Sequence, residues 1–402
     1  MKKEVNIKKI LKRQRINIYF YRPLFFIISR LFLHFRSKDK YKLKKNEPAI
    51  ILANHQTDFD FILILTMFNR PISFVGTDNI FNGPLFSNYL MNHLGVIPKK
   101  KGVVDITSTL MIMRTLKANG CVCIAPEGNR TYAEFQYHIN EAIISLIRKT
   151  KAKLILFRLE GGTGSYPRFK NKKRSGKFTS TIARVLDASE YDLLTDEELL
   201  KIIKDNIRFY DSKSGNLYYS KRRAEYLEKM LFVCPNCLKM NTLKSKNEHL
   251  YCTNCNLDVI YNLDLSLGSK NSNFHFKYLI DWWNFQKRYV KELDIKDGII
   301  FEDDIILRLA NPFKKRTTLY QGRMELTKDE LRFGSLIHEL KDIASATIVS
   351  GGKLIYQIND DNYLIKSKNK RFNPLKYIFM FNKLDTLMKK NNSDVYYNLE
   401  ED

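Results

Sequence analysis

No run of about twenty uninterrupted apolar residues occurs in this 402-residue chain, so no segment reads as a helix that crosses a bilayer. The most apolar stretch, Ile16 to Leu33, is broken by Arg22, Pro23 and Arg30, and an Arg near the middle of a span is costly. A signal peptide is also missing, because the basic start is followed by no short apolar run ending in small residues. Cysteine is scarce. Six in a chain this long are too few for a disulfide scaffold, and four of them fall in two Cys-x-x-Cys pairs, which points to metal ligation in a reducing compartment. Repeats and low-complexity tracts are absent. Acidic residues are outnumbered, 43 Asp and Glu against 68 Lys and Arg.

What is present is a globular composition. With 44% hydrophobic and 12% aromatic residues the chain is not disordered and can bury a core large enough for two or three domains. The net charge of +25 is unevenly spread. Residues 1–45 hold 15 basic residues against Glu4 and Asp39, and Arg148 to Lys177 hold eleven against Glu160 alone. Such fields attract polyanions, either nucleic-acid phosphates or an anionic leaflet. Aromatic and aliphatic bulk flanked by Lys and Arg predicts a pair of helices lying in the membrane interface and broken near Pro23, with a core-packed helical hairpin as the alternative.

From Ala49 the pattern alternates. Strands are expected at Ala49 to Ala53, Ile72 to Val75, Cys121 to Ala125 and Lys153 to Leu159, and helices at Phe59 to Phe68, Glu141 to Arg148 and Thr195 to Ile207. This is the signature of an α/β domain with a mostly parallel sheet flanked by helices, with Cys121 and Cys123 as core residues. Later come an aromatic helix, Phe274 to Val290, then short alternating runs at 323–326, 330–333 and 353–358, and a closing helix from Leu375 to Met388. A small β-rich region capped by one helix resembles a pleckstrin-homology-like or related lipid-binding fold. The expected division is 1–45 interface helices, 46–225 α/β domain, 226–265 zinc ribbon, 266–295 linker helix and 296–402 β-rich domain.

Two constellations can carry chemistry. His55 and Asp60 lie five apart, which on one continuous helix would set them about 140° from each other. They meet only if His55 sits in the turn before a helix. Thr57 as N-cap with Asp60 three residues on supplies that start. A carboxylate on one ring nitrogen fixes the tautomer and leaves the other free to take a proton, which makes a general base. The second constellation, Pro126-Glu127-Gly128-Asn129-Arg130, follows a strand end, where open α/β sheets place ligands, and Arg130 offers a planar fork suited to phosphate.

In this order and about 70 residues apart, the two blocks resemble those of the PlsC-like lysophosphatidate and glycerol-phosphate acyltransferase family, whose signatures are Asn-His-x4-Asp and Glu-Gly-Thr-Arg. Asn54, His55 and Asp60 fit the first, and Glu127, Gly128 and Arg130 the second, with Asn129 in place of Thr. The resemblance covers roughly residues 15 to 190. It implies His55 as catalytic base with Asp60 orienting it, and Asn54, Glu127, Gly128 and Arg130 in acceptor binding. Where the family carries a basic residue for the acceptor phosphate, this chain has Lys99, Lys100 and Lys101, which supply charge without bidentate geometry. The strand block at Leu154 to Glu160 lacks the family's proline, and Gly161-Gly162-Thr163-Gly164-Ser165 reads as a flexible active-site turn. The implied reaction moves a fatty acyl group from an acyl thioester, acyl-CoA or acyl-carrier protein, to a lysophospholipid hydroxyl at the cytoplasmic face of a membrane, with no catalytic cofactor.

Cys234, Cys237, Cys252 and Cys255 form Cys-x-x-Cys, fourteen residues, Cys-x-x-Cys, which predicts one structural zinc closed by four thiolates. A ribbon with so basic a chain raises a nucleic-acid-binding protein as the rival reading. Residues 231–262, however, carry only Lys239, Lys244 and Lys246 as basic residues. A catalytically silent lipid-binding scaffold is the second rival.

Overall fold

The structure, a computed structural model, describes residues 6–37, 40–77, 80–100, 105–134, 138–170 and 172–384. It divides into two compact units. One holds residues up to Tyr166 with Gly176–Asn216, the other Pro167–Ser175 with the chain from Leu217 onward.

The first unit begins with a long helix α1 (Ile7–Ile27), which passes through Pro23 and continues into a π-helical turn at Ile28–Phe32. The expected break at Pro23 into two helices does not occur. Proline removes one backbone donor, but tertiary bonds on the preceding turns hold the helix: buried Gln14 donates to the Leu94 carbonyl at 2.6 Å and Asn17 to the His93 carbonyl at 3.0 Å. No helix among the described residues is long and apolar enough to cross a membrane.

The sheet is built from β1 (Ala49–Ala53), β2 (Ser73–Thr77), β3 (Ile97–Lys99), β4 (Cys121–Ile124), β5 (Lys153–Glu160) and β6 (Thr179–Leu186), in the order β3-β2-β4-β1-β5-β6. All pairings are parallel except β5 with β6. Between the strands lie α2 (Asp60–Met67), α3 (Pro84–Asn92), α4 (Ile106–Lys117), α5 (Ala142–Thr150) and the short α6 (Gly162–Ser165); after β6 come α7 (Ala188–Tyr191) and α8 (Asp196–Ile207). β1 is central and fully buried, so it is apolar throughout instead of alternating. Its Ile50 and Leu52 pack with residues of α4, α5 and α8, while Ala49, Ile51 and Ala53 face the side occupied by α2. Burial pushes the Cys121 thiol up to about 11 and Cys123 higher still, as expected of inert core residues.

The second basic cluster is less open than its sequence suggests. Arg148 pairs with Asp196 at 2.7 Å, Lys151 with Asp192 at 2.6 Å, and Lys153 with Glu47 at 2.9 Å and Asp187 at 3.2 Å.

In the second unit, β7 (Leu243–Lys246), β8 (His249–Cys252), β9 (Asp258–Tyr261) and β10 (Leu267–Ser269) form an antiparallel sheet in the order β10-β9-β8-β7. A helix α9 (Leu279–Glu292) follows; it starts five residues later than the aromatic pattern suggested, because Asp281 caps it by accepting from Tyr278 N–H at 2.8 Å. Then come β11 (Phe301–Leu309), β12 (Thr317–Leu326), β13 (Glu330–Phe333), β14 (Leu336–Glu339), β15 (Ile343–Val349), β16 (Lys353–Ile358) and β17 (Asp361–Lys366), a seven-stranded antiparallel sheet, and α10 (Leu375–Lys383). The last residues expected in that closing helix, 385–388, lie outside the described residues. One core joins these parts. Phe232 stacks edge-on against Phe301 and Phe379, and the Trp282 indole donates to the Val233 carbonyl at 3.0 Å.

Candidate active site

The carboxyl end of β1 runs into the turn Asn54-His55-Gln56-Thr57, and α2 starts at Asp60. The helix has no side-chain N-cap; Thr57 lies before it, and Asp60 reaches back over the turn. Its Oδ2 lies 2.8 Å from His55 Nδ1 and accepts from Gln56 N–H at 2.9 Å, while Oδ1 accepts from Thr57 N–H at 2.9 Å and from the Thr57 hydroxyl. Asp60 is buried and sits at a helix N-terminus, where a negative charge is favoured. Because an ionised carboxylate only accepts, the contact selects the Nδ1–H tautomer of His55 and leaves Nε2 with its lone pair. The imidazole remains 34% exposed, so a solvent-borne hydroxyl can reach it.

Asn54 is buried and turned to β5. Its amide donates to the Leu159 carbonyl at 2.9 Å and accepts from Leu159 N–H at 2.8 Å, tying the turn to the neighbouring strand.

The second block lies beside the first. Gly128 adopts a left-handed φ of 65° that a side chain would strain, and its N–H bonds to the Ala125 carbonyl at 3.0 Å to close the turn after β4. Glu127 is buried and, with His55, Thr131, Glu134, Arg208 and Phe209, lines a narrow crevice. Arg130 is not presented as an open fork. Its Nε donates to the Gln56 carbonyl at 2.6 Å, Nη1 to Asp58 at 3.1 Å and Nη2 to the Tyr166 carbonyl. It fastens the histidine turn to the residues that follow β5.

Lys99 and Lys100 are exposed at the carboxyl end of β3, the same edge of the sheet as His55 but three strands away, roughly 14 Å at the usual strand spacing. They are not brought to the imidazole. Lys101 lies outside the described residues.

Two residues that local sequence reading passed over complete the site. Gln56 Oε1 accepts from Gly162 N–H at 2.8 Å, an approach so close that a Cβ at Gly162 would sit 2.5 Å from that oxygen. Asp211, fully buried, accepts from Gly161 N–H and Gly164 N–H, each at 2.7 Å. The segment read as a flexible glycine turn is therefore a packed helical turn, because Asp211 and Gln56 take its N–H groups. Gly161 itself has φ 93° and lies against the Lys177 carbonyl, which leaves no room for a side chain. The residues at 55–57, 130, 161–164 and 211 form one hydrogen-bonded shell behind the imidazole.

Burial, then the nearby Glu134 carboxyl, push Asp211 from the ordinary 3.8 up to about 8 against the pull of those N–H groups. The folded state thus keeps a proton that the unfolded chain releases, so this group's contribution to stability falls as pH rises from about 4 to about 8 and is level above that. Urea midpoints of the wild type are expected to drop relative to Asp211→Asn across that window. Parallel pH profiles would show that Asp211 is ionised throughout.

The Arg130 geometry makes a further prediction. Arg130→Lys keeps the charge but cannot span three acceptors in different directions. Acceptor KM should move less than about threefold while kcat falls about ten- to a hundredfold, since displacing the turn that carries His55 costs rate and not binding. A KM effect larger than the kcat effect would instead make Arg130 a phosphate ligand.

Residues 34–162 match the family model described as Acyltransferase. The match spans both blocks and ends inside the glycine turn. A crystal structure of the 1-acyl-sn-glycerophosphate (LPA) acyltransferase PlsC from Thermotoga maritima aligns with 50% of this chain and 76% of its own, at 19% identity and a TM-score of 0.36. No curated protein matches the chain. Residues 34–162 of the first unit thus carry an acyltransferase domain.

The second unit holds a separate cluster. Cys234, Cys237, Cys252 and Cys255 place their sulfurs within 4.8 Å of one another, Cys234 3.6 Å from Cys255 and Cys237 3.7 Å from Cys252. Knuckle bonds hold them: Cys234 N–H donates to the Lys239 carbonyl at 3.1 Å, and Asn254 N–H points at Cys252 Sγ from 3.4 Å. This donor set fits a metal ion. His249 is turned away to Asp258, at 3.0 Å.

Proposed function

We propose that this acyltransferase moves a fatty acyl group from an acyl thioester, acyl-CoA or acyl-carrier protein, to the free hydroxyl of a lysophospholipid, 1-acyl-glycerol-3-phosphate being the acceptor that best suits the resemblance. The observation that carries the reading is the 2.8 Å contact between His55 Nδ1 and Asp60 in a turn where Asp60 is held by three further donors. In this mechanism His55 Nε2 removes the hydroxyl proton as that oxygen attacks the thioester carbonyl carbon. The tetrahedral intermediate collapses, the C–S bond breaks, and the leaving thiolate takes the proton back from the imidazolium. Asp60 orients the ring and stabilises its positive charge without becoming protonated itself. Glu127, buried in the crevice beside His55, faces the acceptor's polar end.

α1 and the turn after it support a place at the membrane interface. Tyr19, Phe20, Leu24, Ile27, Leu31 and Phe32 are exposed, an apolar stripe beside basic residues, which suits a helix held in the interface of the cytoplasmic leaflet. The four thiolates of the second unit hold one structural zinc ion, a closed site with no open position for substrate. The deciding experiment incubates purified protein with labelled acyl-CoA or acyl-carrier protein and a panel of lysolipids. Transfer to lysophosphatidate in preference to lysophosphatidylcholine supports the acceptor assignment, and transfer to neither ends it.

A further inference from the structure

A cleft of about 600 Å³ lies along α1, away from the crevice beside His55. Among the described residues its rim carries Arg15, Arg22, Lys40, Lys45 and Arg70 and no carboxylate. Arg15, Tyr19, Arg22 and Phe26 follow one another at spacings of four, three and four, so α1 presents them on one face, with the two arginines about 10 Å apart along the axis. The opposite wall is the chain at 40–45 and the turn between α2 and β2. Arg70 fixes that wall by donating to the Lys44 carbonyl at 2.7 Å, the Glu47 carbonyl at 2.5 Å and the Asn119 carbonyl. Glu47, two residues beyond Lys45, is engaged with Lys153 at 2.9 Å. The cleft shares no lining residue with the catalytic crevice. Arg70 braces the entry to β1, whereas His55 follows its exit.

The floor is apolar. Tyr19, Pro23 and Phe26 lie between the cations, and the exposed Phe20, Leu24 and Ile27 continue from them along the helix. A soluble phosphate has no use for that surface, and hydrocarbon does. We propose that the cleft seats the phosphate of an anionic phospholipid of the host leaflet, with its acyl chains lying over Tyr19, Pro23 and Phe26. The proposal rests on the interfacial reading of α1 given above and adds a discrete headgroup site, distinct from the acceptor site, that orients the catalytic turn towards the leaflet.

The test compares two triple variants of the full chain. One, Arg15→Gln/Arg22→Gln/Lys45→Gln, removes three of the five rim cations and leaves Lys40 and the wall-fixing Arg70 in place. The other, Lys8→Gln/Lys9→Gln/Lys12→Gln, removes the same charge from the same helix outside the cleft. Co-flotation is measured with phosphatidylcholine vesicles with and without a minor fraction of phosphatidate. The cleft variant should lose at least roughly tenfold more partition to the anionic vesicles than the other, while neither changes on neutral vesicles. Both variants should keep wild-type turnover on a water-soluble short-chain lysophosphatidate, a readout that separates this proposal from the acyl-transfer reading. Equal losses would reduce the effect to diffuse charge and overturn the site. Release of bound protein by inorganic phosphate at unchanged ionic strength would make it a soluble-anion site. Loss of short-chain turnover in the cleft variant alone would fold the cleft into the acceptor site, and each of these results overturns the proposal.

Discussion

His55→Ala is expected to lower acyl transfer about a thousandfold, with the thermal midpoint unchanged, because a positioned base contributes roughly 10²- to 10⁴-fold and the imidazole is partly exposed and not a core residue. Asp60→Asn should be nearly as damaging to rate and also costly to stability. An amide can still accept from some of the donors around position 60, but it turns one N–H pair towards Gln56 or Thr57 N–H, and it no longer favours the Nδ1–H tautomer. The two losses should not add. Once the base is gone, its orienting group has little left to do, so the double variant should sit within about threefold of His55→Ala. Initial rates with saturating donor and acceptor check all three. Wild-type turnover in His55→Ala would remove the base from the mechanism; a double variant losing the product of the two single effects would show that Asp60 acts independently of His55.

The sequence reading reached the parts of this site that are local. β1 was legible because a strand buried on both faces is apolar without alternation, and the turn after it because a histidine and an aspartate five apart can meet only off a helix. The bonds that anchor the turn were not legible. Asp211 lies far along the chain from Gln56, and nothing near position 211 signals that its carboxyl group takes the N–H groups of Gly161 and Gly164. Arg130 shows the same limit from the other side: its type suggested phosphate, and its surroundings give it two carbonyls and a carboxylate. Pro23 suggested a break that Gln14 and Asn17 override from the side. The charge surplus of Arg148 to Lys177 was real in sequence but is partly cancelled in space by Asp187, Asp192 and Asp196, which come from the segment after β6. α3 and α4 escaped notice because one is short and the other is rich in Thr and Ile, weak helix formers held by packing.

Cys252→Ser should destabilise the whole second unit and not the ribbon alone. Four sulfurs within 4.8 Å of one another, carried on two knuckles, are stable as thiolates only with a cation between them. The ribbon strands are three or four residues each, too short to hold the hairpins without that clamp. The damage then spreads by named contacts. Val233, directly before Cys234, accepts the Trp282 indole, and Phe232 packs edge-on between Phe301 and Phe379, so the first knuckle is continuous with the core shared by α9, β11 and α10. Structural zinc in isolated fingers is worth on the order of 10 kcal/mol, and the part recovered here, where a packed core assists, should still be several kcal/mol. Purified protein should contain one zinc per chain, and removing it with a strong chelator should lower the unfolding midpoint of the second unit and reproduce the Cys252→Ser melt. Trypsin should then cut within residues 217–384 before it cuts the acyltransferase domain. A metal-free preparation whose melt is unaffected by Cys252→Ser would leave the four cysteines as a packing feature only. Retained His55-dependent turnover on a short-chain acceptor after chelation would confirm that the ion serves structure and takes no part in acyl transfer.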